Sequence, residues 1–228
     1  MSIQDEDNQL LRIIYFFKEI NLDYWIDSGS LLGLTRGGEL LKGDNDIDFG
    51  IWSGTEEKII KAFDEYLKED YSLKRYFYKK KLYKLKLIPL KSTLTRKVDI
   101  NIFFRYEDSA WCFQSLFFKK GNKFFYFFMA IIEYSFTTYY IRSMKNLYYG
   151  KYPLLLLRRP GFWKVPLEYF DKTGSLFHKG INIKTPNNSA EYLSLKYGNW
   201  KVPKKKWNFM VDDGLLMRKF PKTLLKDI

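Results

Sequence analysis

Hydrophobic positions recur at helical spacing near the start of the chain. Leu10, Leu11, Ile13, Ile14, Phe17 and Ile20 predict an amphipathic helix over residues 8–20. Tyr24–Asp27 reads as a short strand, Ser28-Gly29-Ser30 as a tight turn, and Leu31–Arg36 as a short helix closed by Gly37-Gly38. The period then changes to two. Along Asp46–Trp52, Asp46 and Asp48 point one way and Ile47, Phe49 and Ile51 the other, which predicts a strand. Ser53 and Glu56 form a capping box that opens a helix reaching about residue 68. Residues 71–78 and 82–90 predict strands joined by Lys79-Lys80-Lys81. Residues 97–104 predict another, with Val98, Ile100 and Ile102 opposite Asp99, Asn101 and Phe103.

Beyond residue 105 the texture changes. Residues 111–152 are dense in Phe and Tyr and predict largely helical structure. Residues 153–189 carry most of the Pro and predict irregular or short extended pieces. Ala190–Tyr197 predicts a short helix that Gly198 ends. The pattern is that of an α+β protein: a small mixed sheet flanked by helices, followed by a helical and irregular C-terminal half.

Composition narrows the function classes. The 228 residues suffice for a core without disulfide staples. One Cys (Cys112) and one His (His178) exclude an internal disulfide, a Cys-rich zinc site and a His-rich metal site. Cys112 reads as a small buried apolar residue. The formal net charge is +13, and aromatic residues make up 19% of the chain. A chain both basic and aromatic suits a nucleic-acid binder, a protein at an anionic membrane surface, or an enzyme for phosphorylated substrates. The acidic, polar N-terminus does not read as a signal peptide. Residues 124–141 are the one stretch of membrane-spanning length. Glu133 at their centre would cost a spanning helix about 2–3 kcal/mol, which favours a buried or interface-lying helix.

The candidate chemistry lies between residues 25 and 51. Asp46 and Asp48, two apart on a strand, project from one face. Carboxylates this close repel unless a cation neutralises them, and Mg²⁺ with phosphate oxygens is the natural partner. The strand through Asp99 can supply a third carboxylate to the same face. Ser28, Gly29 and Ser30 precede a helix and can cradle phosphate with backbone N–H groups and hydroxyls. Arg36 can neutralise phosphate with two parallel hydrogen bonds. Taken singly, these residues are a solvated strand face, a turn and a surface charge; their combination and order are far more specific.

That order resembles the polymerase-β-like nucleotidyltransferase fold and, more narrowly, the LicD/fukutin family, which includes the fukutin-related protein. The resembling residues are Trp25, Ser28-Gly-Ser-Leu-Leu-Gly33, Arg36, Gly38 and Asp44-Asn-Asp-Ile-Asp-Phe-Gly50. Val98-Asp99-Ile100 looks like the family's later Asp strand. Trp163-Lys-Val-Pro166, Phe177, Pro186, Glu191 through Trp200, and Pro203 resemble its C-terminal signature. Two positions depart from the pattern: Gly43 stands where Trp is usual, and Asn45 where many relatives carry Asp.

The resemblance implies a metal-dependent transferase that moves a phospho-alcohol group, such as phosphocholine or ribitol phosphate, from a CDP-activated donor. The acceptor would be a cell-surface or lipid-linked glycan, as in lipopolysaccharide or teichoic acid synthesis. It implies Mg²⁺ or Mn²⁺ on Asp46 and Asp48, with Asp44 assisting. Asp99 would be a third ligand or the base for the acceptor hydroxyl. Ser28, Gly29, Ser30 and Arg36 would hold phosphate. Residues 1–105 would form the catalytic core, with residues 106–228 an aromatic helical insert and C-terminal region packed as one unit with it.

Two other readings keep their place. One is an NMP-transferring nucleotidyltransferase acting on a small molecule, protein or RNA, although no RNA-binding module is readable and nucleic acid is disfavoured as a partner. The other is a non-enzymatic membrane-surface scaffold, against which the intact carboxylate set argues. The expected location is cytoplasmic, with peripheral contact to an anionic inner membrane face. His178 reads as structural or surface, Tyr197-Gly198 with Trp200 and Pro203 as a C-terminal lock, and Lys204-Lys-Lys206 as a solvated turn.

Overall fold

A computed structural model describes residues 3–78, 80–115, 160–204 and 206–217. Helix α1 (Ile3–Glu19) buries Leu10, Ile13, Ile14, Phe16 and Phe17, the face set by its periodicity. Its buried Gln9 side chain accepts from the Arg96 N–H and donates to the Arg96 carbonyl, which fastens α1 to the start of a distant strand. Strand β1 (Tyr24–Ile26) leads into α2 (Ser28–Gly37), β2 (Asp46–Trp52), α3 (Glu56–Tyr66), β3 (Tyr71–Tyr78), β4 (Lys81–Pro89), β5 (Lys97–Tyr106) and β6 (Ser109–Ser115). The chain then gives β7 (Pro160–Pro166), α4 (Glu168–Asp171), β8 (Gly174–His178), β9 (Ile181–Thr185), α5 (Ser189–Tyr197), α6 (Phe209–Asp212) and β10 (Leu216–Met217).

Eight strands share one mixed sheet, and β8 and β9 form a separate antiparallel hairpin. The sheet is organised around β5. One edge of β5 pairs in parallel with β2. The other edge is divided: β4 covers residues 98–101 and β6 takes over at 103–106. Strands β7 and β10 extend the sheet beyond β6. Helix α5 packs on α2, and β9 lies beside β1. The architecture is the mixed α+β arrangement expected.

Much of the aromatic excess is core. Trp25 stacks against Phe170 (4.5 Å between ring centroids), Phe103 (5.2 Å) and Trp52 (5.2 Å). Phe17 meets Phe49 edge to face at 5.0 Å. Trp25 lies directly opposite Gly50 in the β1–β2 pair, and a Cβ on Gly50 would sit inside the Trp25 ring. The buried indole therefore requires glycine at that strand position.

Three local expectations are corrected. Ser28-Gly29-Ser30 is the first turn of α2 and not a turn before it, because Asp27 is the N-cap and its carboxylate accepts from the Ser28 N–H at 2.6 Å. Helix α3 starts at Glu56 behind Thr55. Glu56 accepts from the Gly54 N–H, so Ser53 forms no capping box. Residues 111–115, expected as the start of the helical region 111–152, belong to strand β6 because Tyr106 and Ser109 close a hairpin back onto β5. The rest of that region, including residues 124–141, lies outside the described residues. Among the described residues, no helix is long and apolar enough to cross a membrane.

Candidate functional site

The parallel β2–β5 pair brings the distant carboxylates together. Asp48 and Asp99 are register partners, and Asp46, one pleat away on the same face, stands opposite Lys97. The apolar residues of β2 and β5 that alternate with them (Ile47, Phe49, Val98 and Ile100) are fully buried, so the core anchors the strands while the carboxylates face a cavity.

Helix α2 is tied to the same point. The Asp27 N–H donates to the Asp48 carbonyl at 3.0 Å, and the Asp48 N–H donates to Ser30 Oγ at 2.9 Å. The Gly29 N–H reaches Asp48 Oδ2 at 3.3 Å. A Cβ on Gly29 would collide with Asp44 Oδ2, so glycine is what lets the loop carboxylate approach the helix N-terminus. Ser28 holds a left-handed φ of +49°, a strained value for a residue with a side chain, and its buried Oγ has no hydrogen-bond partner.

The cavity has a volume of about 550 Å³. Asp44, Asp46, Asp48, Asp99, Ser28, Gly29 and Arg36 all line it. Ser30 does not; its hydroxyl serves the Asp48 backbone instead. Arg36 Nη1 donates to the Trp200 carbonyl at 3.3 Å and so joins α2 to the segment that follows α5.

Electrostatics mark the carboxylates as a strained set. Burial, reinforced by Asp99 and by a hydrogen bond with Asp44, pushes Asp46 up to about 6. Burial, then Asp46 and Asp99, holds Asp48 well above the usual carboxylate range. Asp99 is compensated differently. Lys84 forms an ion pair with its Oδ2, and Lys86 Nζ lies 2.8 Å from Oδ1. Burial pulls the Lys84 ammonium down, but Asp99 and then Asp48 outweigh it, and the net shift is upward.

These two lysines are what sequence reading missed. They alternate with Leu85 and Leu87 on β4, a signal visible in the sequence, but only the β4–β5 register (Lys86 opposite Asp99) shows which face they share. Missed as well were Asp27, whose buried carboxylate accepts from Tyr192 OH at 2.6 Å, and the Lys196–Asp213 pair on the far wall.

Among the described residues, no three His, Cys, Asp or Glu side chains form a ready-made metal shell. The donor chemistry of Asp44, Asp46 and Asp48 nevertheless fits a hard divalent cation: all are oxygen donors, and Asp46 and Asp48 are raised by burial and by neighbouring carboxylates. The linkage has a sign. With a folded value near 6, above its unfolded value, Asp46 contributes stability below about pH 4 that is lost as pH rises through about 6. Metal-free protein is therefore expected to melt lower at pH 7 than at pH 5 through this group, and Asp46→Asn should flatten that step. Metal affinity should run the opposite way, weakening about tenfold per pH unit below about 6 as protons compete, as a Mn²⁺ titration at several pH values would read.

His178 is buried in the β8–β9 hairpin and does not line the cavity. Cys112 is buried, and burial pushes its thiol up to about 12. Lys204 lines the cavity and pairs with Asp212 at 2.9 Å. Tyr197, Trp200 and Pro203, expected as a C-terminal lock, also border the cavity and form part of its wall.

No curated protein matches the chain. Among solved structures, it is similar to ANT(2")-Ia in complex with adenylyl-2"-tobramycin, with 14% identity and a TM-score of 0.35 over 48% of this chain and 55% of that one. The family model described as LicD/FKTN/FKRP, nucleotidyltransferase domain, matches residues 21–141, just over half the chain. The match spans the strand–helix–strand unit that carries Asp27 to Asp48 and the strand that carries Asp99, and the chain belongs to the LicD/FKTN/FKRP family.

Proposed function

We propose that the chain is a metal-dependent transferase that moves a phospho-alcohol group from a CDP-activated donor to a hydroxyl of a cell-surface or lipid-linked glycan. The observation that carries this reading is the cavity in which Asp44, Asp46 and Asp48 meet the N-terminus of α2 beside cationic side chains. Mg²⁺ or Mn²⁺, held by Asp46 and Asp48 with Asp44 beside them, would neutralise the donor diphosphate and stabilise CMP as it leaves.

The chain's own groups do the rest by positioning and electrostatics. The first turn of α2, with Ser28 Oγ and the Gly29 backbone, holds phosphate oxygens. Arg36 supports their charge from the rim. The proton of the acceptor hydroxyl passes to solvent water, since Lys84 and Lys86 already engage both oxygens of Asp99. A new bond forms between that oxygen and the phosphorus carrying the alcohol, and the bond from that phosphorus to the bridging oxygen of CMP breaks. The acceptor, being a large glycan, enters past Trp200 and Pro203.

The test incubates purified protein and Mg²⁺ with a glycan acceptor and CDP-choline, CDP-ribitol or CDP-glycerol, or with the acceptor and each NTP. The expected result is CMP release from one CDP-alcohol and no pyrophosphate from NTPs. Pyrophosphate release with every CDP-alcohol intact would replace this reading with nucleotidyl transfer.

A further inference from the structure

We propose that this site binds a single divalent cation, with the Lys84–Asp99–Lys86 clamp standing where a third metal-ligating carboxylate and a second cation would otherwise be. The inference rests on the metal-dependent reading above and concerns what Asp99 does within it.

Three observations carry it. First, Asp99 is only 4% exposed, and each of its oxygens already faces an ammonium group: Lys84 at Oδ2 and Lys86, 2.8 Å away, at Oδ1. A carboxylate engaged on both oxygens by cations has little to offer a metal, and displacing the lysines would leave two half-buried ammonium groups unpaired. Second, the clamp is built into the strand register. Lys86 is the β4 partner of Asp99, Lys84 is two residues away on the same face, and Leu85 and Leu87 between and beyond them are fully buried. The lysines are therefore not mobile surface groups that swing in by chance. Third, the charge of the cavity wall leaves room for one ion. Five carboxylates (Asp44, Asp46, Asp48, Asp99 and Asp213) face four cationic side chains (Arg36, Lys84, Lys196 and Lys204), a deficit of one positive charge. One divalent ion on Asp46 and Asp48 already more than closes it. A second would leave the site strongly cationic before the donor arrives.

The clamp also has a use. Lys84 lines the cavity, while Lys86 does not line it and pairs with Asp99 Oδ1. Lys84 thus offers a fixed positive charge to an anionic donor on the β4 side of the carboxylates, where a second metal would have served. Asp99 acts on Lys84 as a positioning residue.

Mn²⁺ binding to the full chain, measured by electron paramagnetic resonance and calorimetry with CDP present, tests this directly. One Mn²⁺ per chain is expected. Asp99→Asn should keep that stoichiometry and weaken affinity less than tenfold, whereas Asp48→Asn should weaken it more than a hundredfold. Lys84→Met with Lys86→Met, which frees Asp99, should gain a second Mn²⁺. If that double variant does not fold, the contrast between Asp99→Asn and Asp48→Asn decides. Two Mn²⁺ on the wild-type chain, or loss of binding in Asp99→Asn equal to that in Asp48→Asn, would overturn the inference and leave the transferase reading standing. No Mn²⁺ binding at all would overturn both.

Discussion

Asp48→Asn is expected to lower transfer by at least about a thousandfold, equivalent to roughly 4 kcal/mol of lost transition-state stabilisation, while raising the melting temperature of the metal-free protein. The two effects have one cause. Asp48 is crowded by Asp46 and Asp99 in a desolvated setting, and its charged form is disfavoured until a cation arrives. Asparagine keeps the shape and can still accept from the Gly29 N–H. It removes the repulsion and, with it, the metal ligand. Relief of this crowding is worth about 1 kcal/mol, or roughly 2–4 °C for a chain of this size. Differential scanning calorimetry at pH 7.5 with chelator, alongside a transfer assay with Mg²⁺, reads both. A variant that loses activity and also melts lower would point to a structural role for Asp48.

The second large effect lies on the opposite wall. Lys196 is 1% exposed, its Nζ is 3.2 Å from Asp213 Oδ2, and it sits 3.1 Å above the centre of the Trp163 ring. Trp163 Nε1 donates to the same Asp213 oxygen at 3.0 Å, and the Leu215 N–H donates to the other at 2.9 Å. The Gly214 N–H donates to the Lys196 carbonyl. This knot fastens residues 213–217 to α5 and β7. Lys196→Met alone would leave Asp213 buried beside an indole and should cost about 3–5 kcal/mol, as should Asp213→Leu alone. Burial outweighs the attraction of Lys196 and leaves the Asp213 carboxyl raised, so the pair is not a strong net stabiliser. The double variant Lys196→Met/Asp213→Leu should accordingly recover most of the loss. Urea unfolding of the four proteins gives the coupling energy directly. Additive losses would mean that the two side chains act independently.

The catalytic face was legible where alternation was strict. Asp46–Trp52 is a strand with the bounds its period indicates, and the buried Ile47, Phe49 and Ile51 fix the side on which Asp46 and Asp48 emerge. The motif from Ser28 to Gly33 was legible as chemistry but not as geometry. Whether Ser28 is a turn or a helix start depends on the side chain of Asp27, whose partner Tyr192 lies 165 positions away. Lys84 and Lys86 were hidden for a related reason. Alternation shows that they share a face, while the identity of that face depends on β4 pairing with β5 in one register out of several. The β6 strand was obscured by composition, because Trp111, Cys112 and Phe113 carry no period that separates a fully buried strand from a buried helix. Trp25, Phe103, Phe170 and Trp163 place part of the aromatic excess in the core beneath the site, while most of the Phe- and Tyr-dense residues 111–152, on which the membrane-facing expectation rests, lie outside the described residues.

The most direct measurement is the thermal stabilisation of the wild-type chain and its Asp48→Asn variant by CDP-ribitol, CDP-choline or CDP-glycerol, each with and without Mg²⁺. The wild-type chain should be stabilised by at least one of these donors only when Mg²⁺ is present, and Asp48→Asn should show no such shift. Equal stabilisation of both proteins by donor and Mg²⁺ would contradict the assignment of Asp46 and Asp48 as the metal-bearing centre of the site.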